Sequence, residues 1–152
     1  MKCLTINPEA IDIDALVERG TSLHGHCGPF LVLGIRMGLQ ALTLLHHPGY
    51  FGLRAESEAG STPPLSCLND GIQVGSGCTM GKGNLSIVGN SRPRVRFVAD
   101  DGASISIEIR ADVLRAVQRG EIDELGTLLR RRPADELFAW TSPTSPSTAS
   151  SS

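Results

Sequence analysis

Residues 23–38, LHGHCGPFLVLGIRMG, constrain this chain more than any other stretch. His24 and His26 are separated by Gly25 alone, Cys27 follows directly, and Gly28-Pro29 leads into the most apolar segment of the protein. In extended backbone a spacing of two puts both imidazoles on one side. Pro29 suits the first turn of a helix, because its missing N–H would have no intrahelical partner there. The polar residues therefore stand at the mouth of a buried helix, where free N–H groups and the helix dipole favour anions and thiolates. A lone histidine before a helix is usually a cap, whereas His-Gly-His-Cys at a helix start is a candidate ligand or catalytic set.

The spacing predicts that helix over residues 29–47. Leu31, Ile35, Leu39, Leu42 and Leu45 form one apolar face, and Val32, Leu33 and Leu44 extend it nearly all round. Arg36 and Gln40 interrupt the apolar run, so it does not read as a membrane span. Gly34, Gly38 and Ala41 make a stripe of small residues on the same helix. Glycine costs about 1 kcal/mol against alanine inside a helix, so the stripe implies close approach of another backbone, and it motivates the expectation of a homodimer. His46 and His47 at the helix end are expected to meet its last carbonyls.

The remainder predicts an α+β protein with a mainly antiparallel sheet packed against that central helix, with flanking helices. A first helix is expected within residues 8–22, stopped by Gly20. Residues 53–60 alternate loosely, as an edge or half-exposed strand would. Asn69 or Asp70 is placed to cap a short helix running to Val74. Strands follow at 85–88, 94–98 and 104–109, the last with Ile105, Ile107 and Ile109 on one face, and Asp100-Asp101-Gly102 is a hairpin signal. Helices are expected at 111–119 and 122–131, with one more turn within 134–140. Residues 1–140 form a single core domain in this reading, and the Ser/Thr/Pro-rich residues 141–152 a disordered tail.

A net charge of −2 supplies no broad basic surface, and four Phe, one Tyr and one Trp are too few for a base-stacking platform, so neither nucleic acid nor membrane is an expected partner. The N-terminus lacks the apolar run of a secretion signal, which points to the cytoplasm. There Cys3, Cys27, Cys67 and Cys78 suit metal or thiol chemistry better than disulfides as a set, while Cys3 by itself is expected to be buried as an inert small hydrophobe. Zinc is held by imidazoles and thiolates, three in catalytic sites and four in structural ones. His24, His26, Cys27, Cys67 and Cys78 supply enough donors, although without the close cysteine pairs of a zinc finger. From one straight helix Cys67 and Cys78 would stand roughly 16 Å apart, so either the loop at Gly75 and Gly77 returns Cys78 to the site or only one of them ligates. The metal-free alternative uses Cys67 or Cys78 as nucleophile in a thiol enzyme or redox protein, with Cys67 at a helix N-terminus and Lys82 supplying positive charge. Gly81-Lys82 fails as a phosphate loop, since Ser76 and Gly83 stand where that motif needs Gly and Ser or Thr.

HGHCGPFLVLGIRMG and CLNDGIQVGSGCTMGKGNL, in this order, resemble the FmdE family of formylmethanofuran dehydrogenase subunits, closely over residues 15–84 and more weakly to Phe138. The resemblance implies an α+β core, often dimeric, without the C-terminal zinc finger of some relatives. It implies a metal site carried over to His24, His26, Cys67 and Cys78; at Cys27 the chain departs from the pattern of many relatives, whose cysteine lies two places past the second histidine. The expected role is a metal-binding protein, an enzyme or accessory factor in redox or one-carbon metabolism beside a molybdenum or tungsten oxidoreductase, with zinc as the favoured divalent ion. A dimeric interaction module is the third reading.

Overall fold

The computed structural model describes residues 2–144. The first helix, α1 (Ile13–His24), begins at Asp12, whose carboxylate accepts from the N–H groups of Asp14 and Ala15. It runs past Gly20, the expected stop, and ends at Gly25, which takes the left-handed conformation at φ 101° that glycine adopts without penalty. Gly20 lies buried under Leu31 and Ile35 instead. Helix α2 (Pro29–Leu45) starts where the Gly-Pro pair predicts, and Leu31, Val32, Leu33, Ile35 and Met37 are completely buried in it. His46 takes a left-handed conformation at its end. His47 accepts from Gly49 N–H at Nδ1, 2.9 Å, so its Nε2–H donates to the Gly52 carbonyl at 3.0 Å. The pair of histidines thus fixes the exit from α2: their backbone N–H groups meet the last helical carbonyls, His46 at Leu42 and Thr43 and His47 at Leu42, while the His47 ring clamps the following turn.

Five strands form one sheet in the order β2-β1-β3-β4-β5: β1 (Leu53–Ser57), β2 (Leu85–Ile87), β3 (Arg94–Ala99), β4 (Ser104–Ile109) and β5 (Phe138–Trp140). Every pairing is antiparallel except β1 with β2. Of the two readings of 53–60, edge strand or half-exposed strand, the second holds: β1 is interior, with β2 on one side and β3 on the other. Its alternation is real, because Leu53 and Ala55 face the core while Arg54 faces out. On that outer face Glu56 lies opposite Arg96 in the register, and the two form an ion pair at 3.6 Å. On the inner face Ile105, Ile107 and Ile109 are buried together with Phe97 and Phe138.

Helix α3 (Leu68–Ser76) follows a single 3-10 turn, Leu65–Cys67. Neither Asn69 nor Asp70 caps it. Asn69 is buried, where its Nδ2 donates to the Gly60 carbonyl at 2.9 Å and its Oδ1 accepts from Ser57 Oγ. Helix α3 crosses α2 at backbone contact. A Cβ built on Gly71 would lie 2.7 Å from both Gly34 Cα and Ile35 N, and one on Gly38 would lie 2.7 Å from Ser76 N. The small stripe of α2 is therefore consumed inside the subunit by Gly71 and Gly75 of α3. Close approach was legible, but its partner is this chain, so a homodimer keeps only the family resemblance behind it.

Helix α4 (Ala111–Gln118) forms as expected, whereas residues 122–131 are turns and not a helix. Gly126 is left-handed at φ 60°, and Leu125 and Leu128 are exposed. The segment is instead tied down by Arg36, whose guanidinium donates to the Leu129 and Arg132 carbonyls. The final expected turn is the four-residue α5 (Ala134–Leu137), after which Phe138 enters β5. Thr144 bridges Ser104, donating to its carbonyl at 3.0 Å; the rest of the expected tail, 145–152, lies outside the described residues. Among the described residues no helix is long and apolar enough to cross a membrane.

Candidate functional site

The two histidines come together by a different route from the extended backbone that the spacing predicted. His24 is the last residue of α1, Gly25 reverses the chain, and His26 folds back so that the ring centroids are 4.8 Å apart, tilted by 31°. The half-buried His24 donates from Nδ1–H to Asp70 Oδ2 at 2.6 Å, which in the neutral ring leaves Nε2 as the nitrogen with the lone pair. The other oxygen of Asp70 accepts from Gln73 Nε2 at 3.2 Å, and Gln73 Oε1 accepts from Met80 N–H at 3.1 Å. A chain of hydrogen bonds therefore runs from the imidazole pair along one face of α3 to the glycine-rich loop after it. His26 is exposed and, among the described residues, makes no hydrogen bond.

Cys67 lies half-buried immediately before α3, three residues from Asp70. A helix N-terminus would by itself lower its pKa. Burial, and then the charge of Asp70, instead push the thiol above its ordinary 9.0. Cys78 is fully buried beyond the other end of α3, its Sγ–H directed at the Leu53 carbonyl, 3.6 Å away. Nine helical residues separate the two cysteines, a rise of about 13 Å, and the turn at Gly77 carries Cys78 toward β1 rather than back to Cys67. Burial raises the Cys78 thiol also; Lys82 opposes this as the smallest of the contributions. Lys82 itself donates to the Gly77 carbonyl at 2.6 Å and to Thr79 Oγ1 at 3.1 Å, so it locks its own loop. Cys27 turns away from the imidazoles, its Sγ 3.5 Å from the Leu125 carbonyl and 3.7 Å from an Arg130 nitrogen. Cys3 is exposed rather than buried as expected.

Of the four expected metal donors, then, His24 and His26 are adjacent, Cys67 borders the same Asp70, and Cys78 stands apart. Imidazole and thiolate suit a borderline ion such as zinc. As they stand, however, no three or more His, Cys, Asp or Glu side chains among the described residues are arranged to hold a metal ion. In the sequence Asp70 reads only as a cap. Its position three residues after Cys67, on one helical face, was the signal that it belongs with the site.

A small α+β protein with a histidine–carboxylate corner between its first and third helices is the class these features define. The chain belongs to the FmdE family, described as that of the molybdenum formylmethanofuran dehydrogenase operon, whose pattern matches residues 23–140. A relative from Archaeoglobus fulgidus, named a probable S-adenosyl-L-methionine-binding protein, is 27% identical over 140 residues. That alignment takes in 86% of this chain but only 36% of the relative, so the chain spans about a third of that protein's length. The crystal structure of a tungsten formylmethanofuran dehydrogenase FmdE-like protein from Syntrophus aciditrophicus has the same fold, with a TM-score of 0.68 at 19% identity. The match covers 93% of this chain and 77% of that one.

Proposed function

We propose that this chain is a metal-binding accessory factor serving a molybdenum or tungsten oxidoreductase system of one-carbon metabolism, taking a divalent transition ion, zinc first, at His24, His26 and Cys67. The observation that carries the reading is the 2.6 Å hydrogen bond from His24 Nδ1–H to Asp70. Histidines that bind metals characteristically have their second nitrogen held by a carboxylate, which fixes the tautomer and raises the basicity of the ligating nitrogen. Here that leaves Nε2 as the ligating atom, beside an exposed His26 whose ring has no competing hydrogen bond among the described residues. The family's association with a molybdenum enzyme operon supports the accessory role. With three protein ligands a zinc ion would keep one position for water and act as a Lewis acid. The metal-free thiol reading has less behind it, because burial pushes Cys67 and Cys78 away from the thiolate form a nucleophile needs unaided, whereas a metal ion deprotonates the thiol it takes.

The test is zinc content after purification and zinc add-back. Wild type is expected to hold one zinc per chain, His26→Ala and Cys67→Ser to lose it with circular dichroism unchanged, and Cys78→Ser to retain it. Asp70→Asn should weaken affinity by about 10- to 100-fold. Full occupancy in both His26→Ala and Cys67→Ser, or a wild type that takes no zinc, overturns the reading.

A further inference from the structure

A second constellation, independent of the histidine corner, surrounds Arg36. It is the only charged residue of α2. Its guanidinium donates to the Leu129 carbonyl at 2.5 Å and the Arg132 carbonyl at 2.6 Å, and among the described residues it makes no ion pair. Burial works against its charge, lowering its pKa below the ordinary arginine range. A desolvated cation facing only carbonyl dipoles is an unbalanced arrangement, since those dipoles supply no countercharge. Arg130 and Arg131 stand beside it and share one carboxylate, Asp14, at 3.0 and 2.5 Å. Arg130 Nε is buried without an acceptor among the described residues. All three arginines line one pocket of about 350 Å³, with Gln40 and Thr43 as polar wall and Ile11, Ile13 and Leu39 as apolar wall. Three guanidinium groups against Asp14 leave two positive charges in excess at this spot, on a chain whose net charge is −2.

We propose that this pocket binds a small organic phosphate, its dianionic head against the arginines and its apolar body against Ile11, Ile13 and Leu39. Two uncompensated positive charges match a dianion. Planar guanidinium groups present paired N–H donors at the spacing of phosphate oxygens. The volume lies at the low end of the range of small-molecule sites, about 300–1,000 Å³, and so suits a compact ligand. Arg131 is the group best able to exchange partners, because it is largely exposed and, among the described residues, bound only to Asp14.

The experiment is calorimetric titration of the full chain with phenyl phosphate and, separately, with inorganic phosphate. One phenyl phosphate per chain is expected, bound about tenfold tighter than inorganic phosphate because its ring is covered. Arg131→Gln, on the surface and safe for folding, should weaken binding about tenfold. Arg36→Gln should weaken it at least as much, with its melting curve recorded alongside. Arg92→Gln, which breaks a surface pair with Glu108 on the outer face of the sheet, should leave binding unchanged. Absence of saturation by either probe up to about 10 mM, equal affinity for the two probes, unchanged affinity in Arg131→Gln, or equal weakening in Arg92→Gln overturns the proposal.

Discussion

Replacing Gly71 by alanine is the most direct test of how the core is assembled. The new Cβ would sit 2.7 Å from Gly34 Cα and from Ile35 N, and would also meet the Leu31 carbonyl oxygen. Ordinary contact begins near 3.4 Å, so the shortfall is at least 0.7 Å and is largest at the Leu31 oxygen, and every obstructing atom is backbone that has no rotamer to change. The helices must separate. A gap of this size forfeits about a quarter to a half of each atom pair's attraction along the crossing. Overpacking of this kind costs about 1–3 kcal/mol, and backbone against backbone belongs at the top of that range. Alanine's better helix propensity returns about 1 kcal/mol, leaving a net loss of about 2 kcal/mol. For a chain of 152 residues that corresponds to a melting temperature lower by about 4–8 °C. Urea titration with the slope compared to wild type is the assay. Gly81→Ala, with nothing within 4 Å of its Cβ, is the control and should be neutral. A Gly71→Ala protein as stable as wild type, or more so, would show that the helices slide apart freely and that the glycines are not what sets their distance.

Three further expectations concern single groups. Asn69→Ala removes the partner of both Ser57 Oγ and the Gly60 carbonyl in the core, and should cost about 2 kcal/mol in urea unfolding; no loss would mean that these groups find other partners. Arg130 first, then Arg131, hold the Asp14 carboxyl below its ordinary 3.8. Because the folded pKa is the lower one, the ionised form adds stability above the unfolded value and loses it as pH falls through the folded value. Asp14→Asn should therefore flatten the dependence of stability on pH below about pH 4, and an unchanged acid slope would refute the pairing. A thiol reagent should label the exposed Cys3 rapidly in the native protein, while the buried Cys78 reacts only as the protein unfolds; equal labelling rates would contradict its position.

Elements defined by their own period were readable. The apolar turns after Gly28-Pro29 gave α2 within two residues at its C-terminus, and the alternation of Ile105, Ile107 and Ile109 gave β4. What depended on partners was not. Residues 53–57 look alike as an edge or an interior strand, because alternation records which face is buried and not what lies alongside. Leu125, Leu128 and Leu129 have helical spacing, yet Arg36 holds the carbonyls around them in turns, and only Leu129 is buried. At the candidate site the adjacency of His24 and His26 was legible, but it comes from a helix end and a left-handed glycine. Asp70 reads as a cap from its place near a helix start, because the partner that holds it, His24, lies 46 residues away along the chain; spacing likewise left open whether the loop returns Cys78 to the histidines.

Chain length between Cys67 and Gly75 is as constrained as residue type. Helical positions turn by about 100° per residue, so one inserted residue before Gly71 would swing both glycines off α2 and bring side chains against its backbone, where there is room only for Cα hydrogens. The same insertion would turn Asp70 away from His24. Relatives are thus expected to vary in length in the turn at 61–64 or the loop at 89–93 while keeping the interval from the cysteine to the second glycine fixed, because a single helix carries both the packing face and the carboxylate.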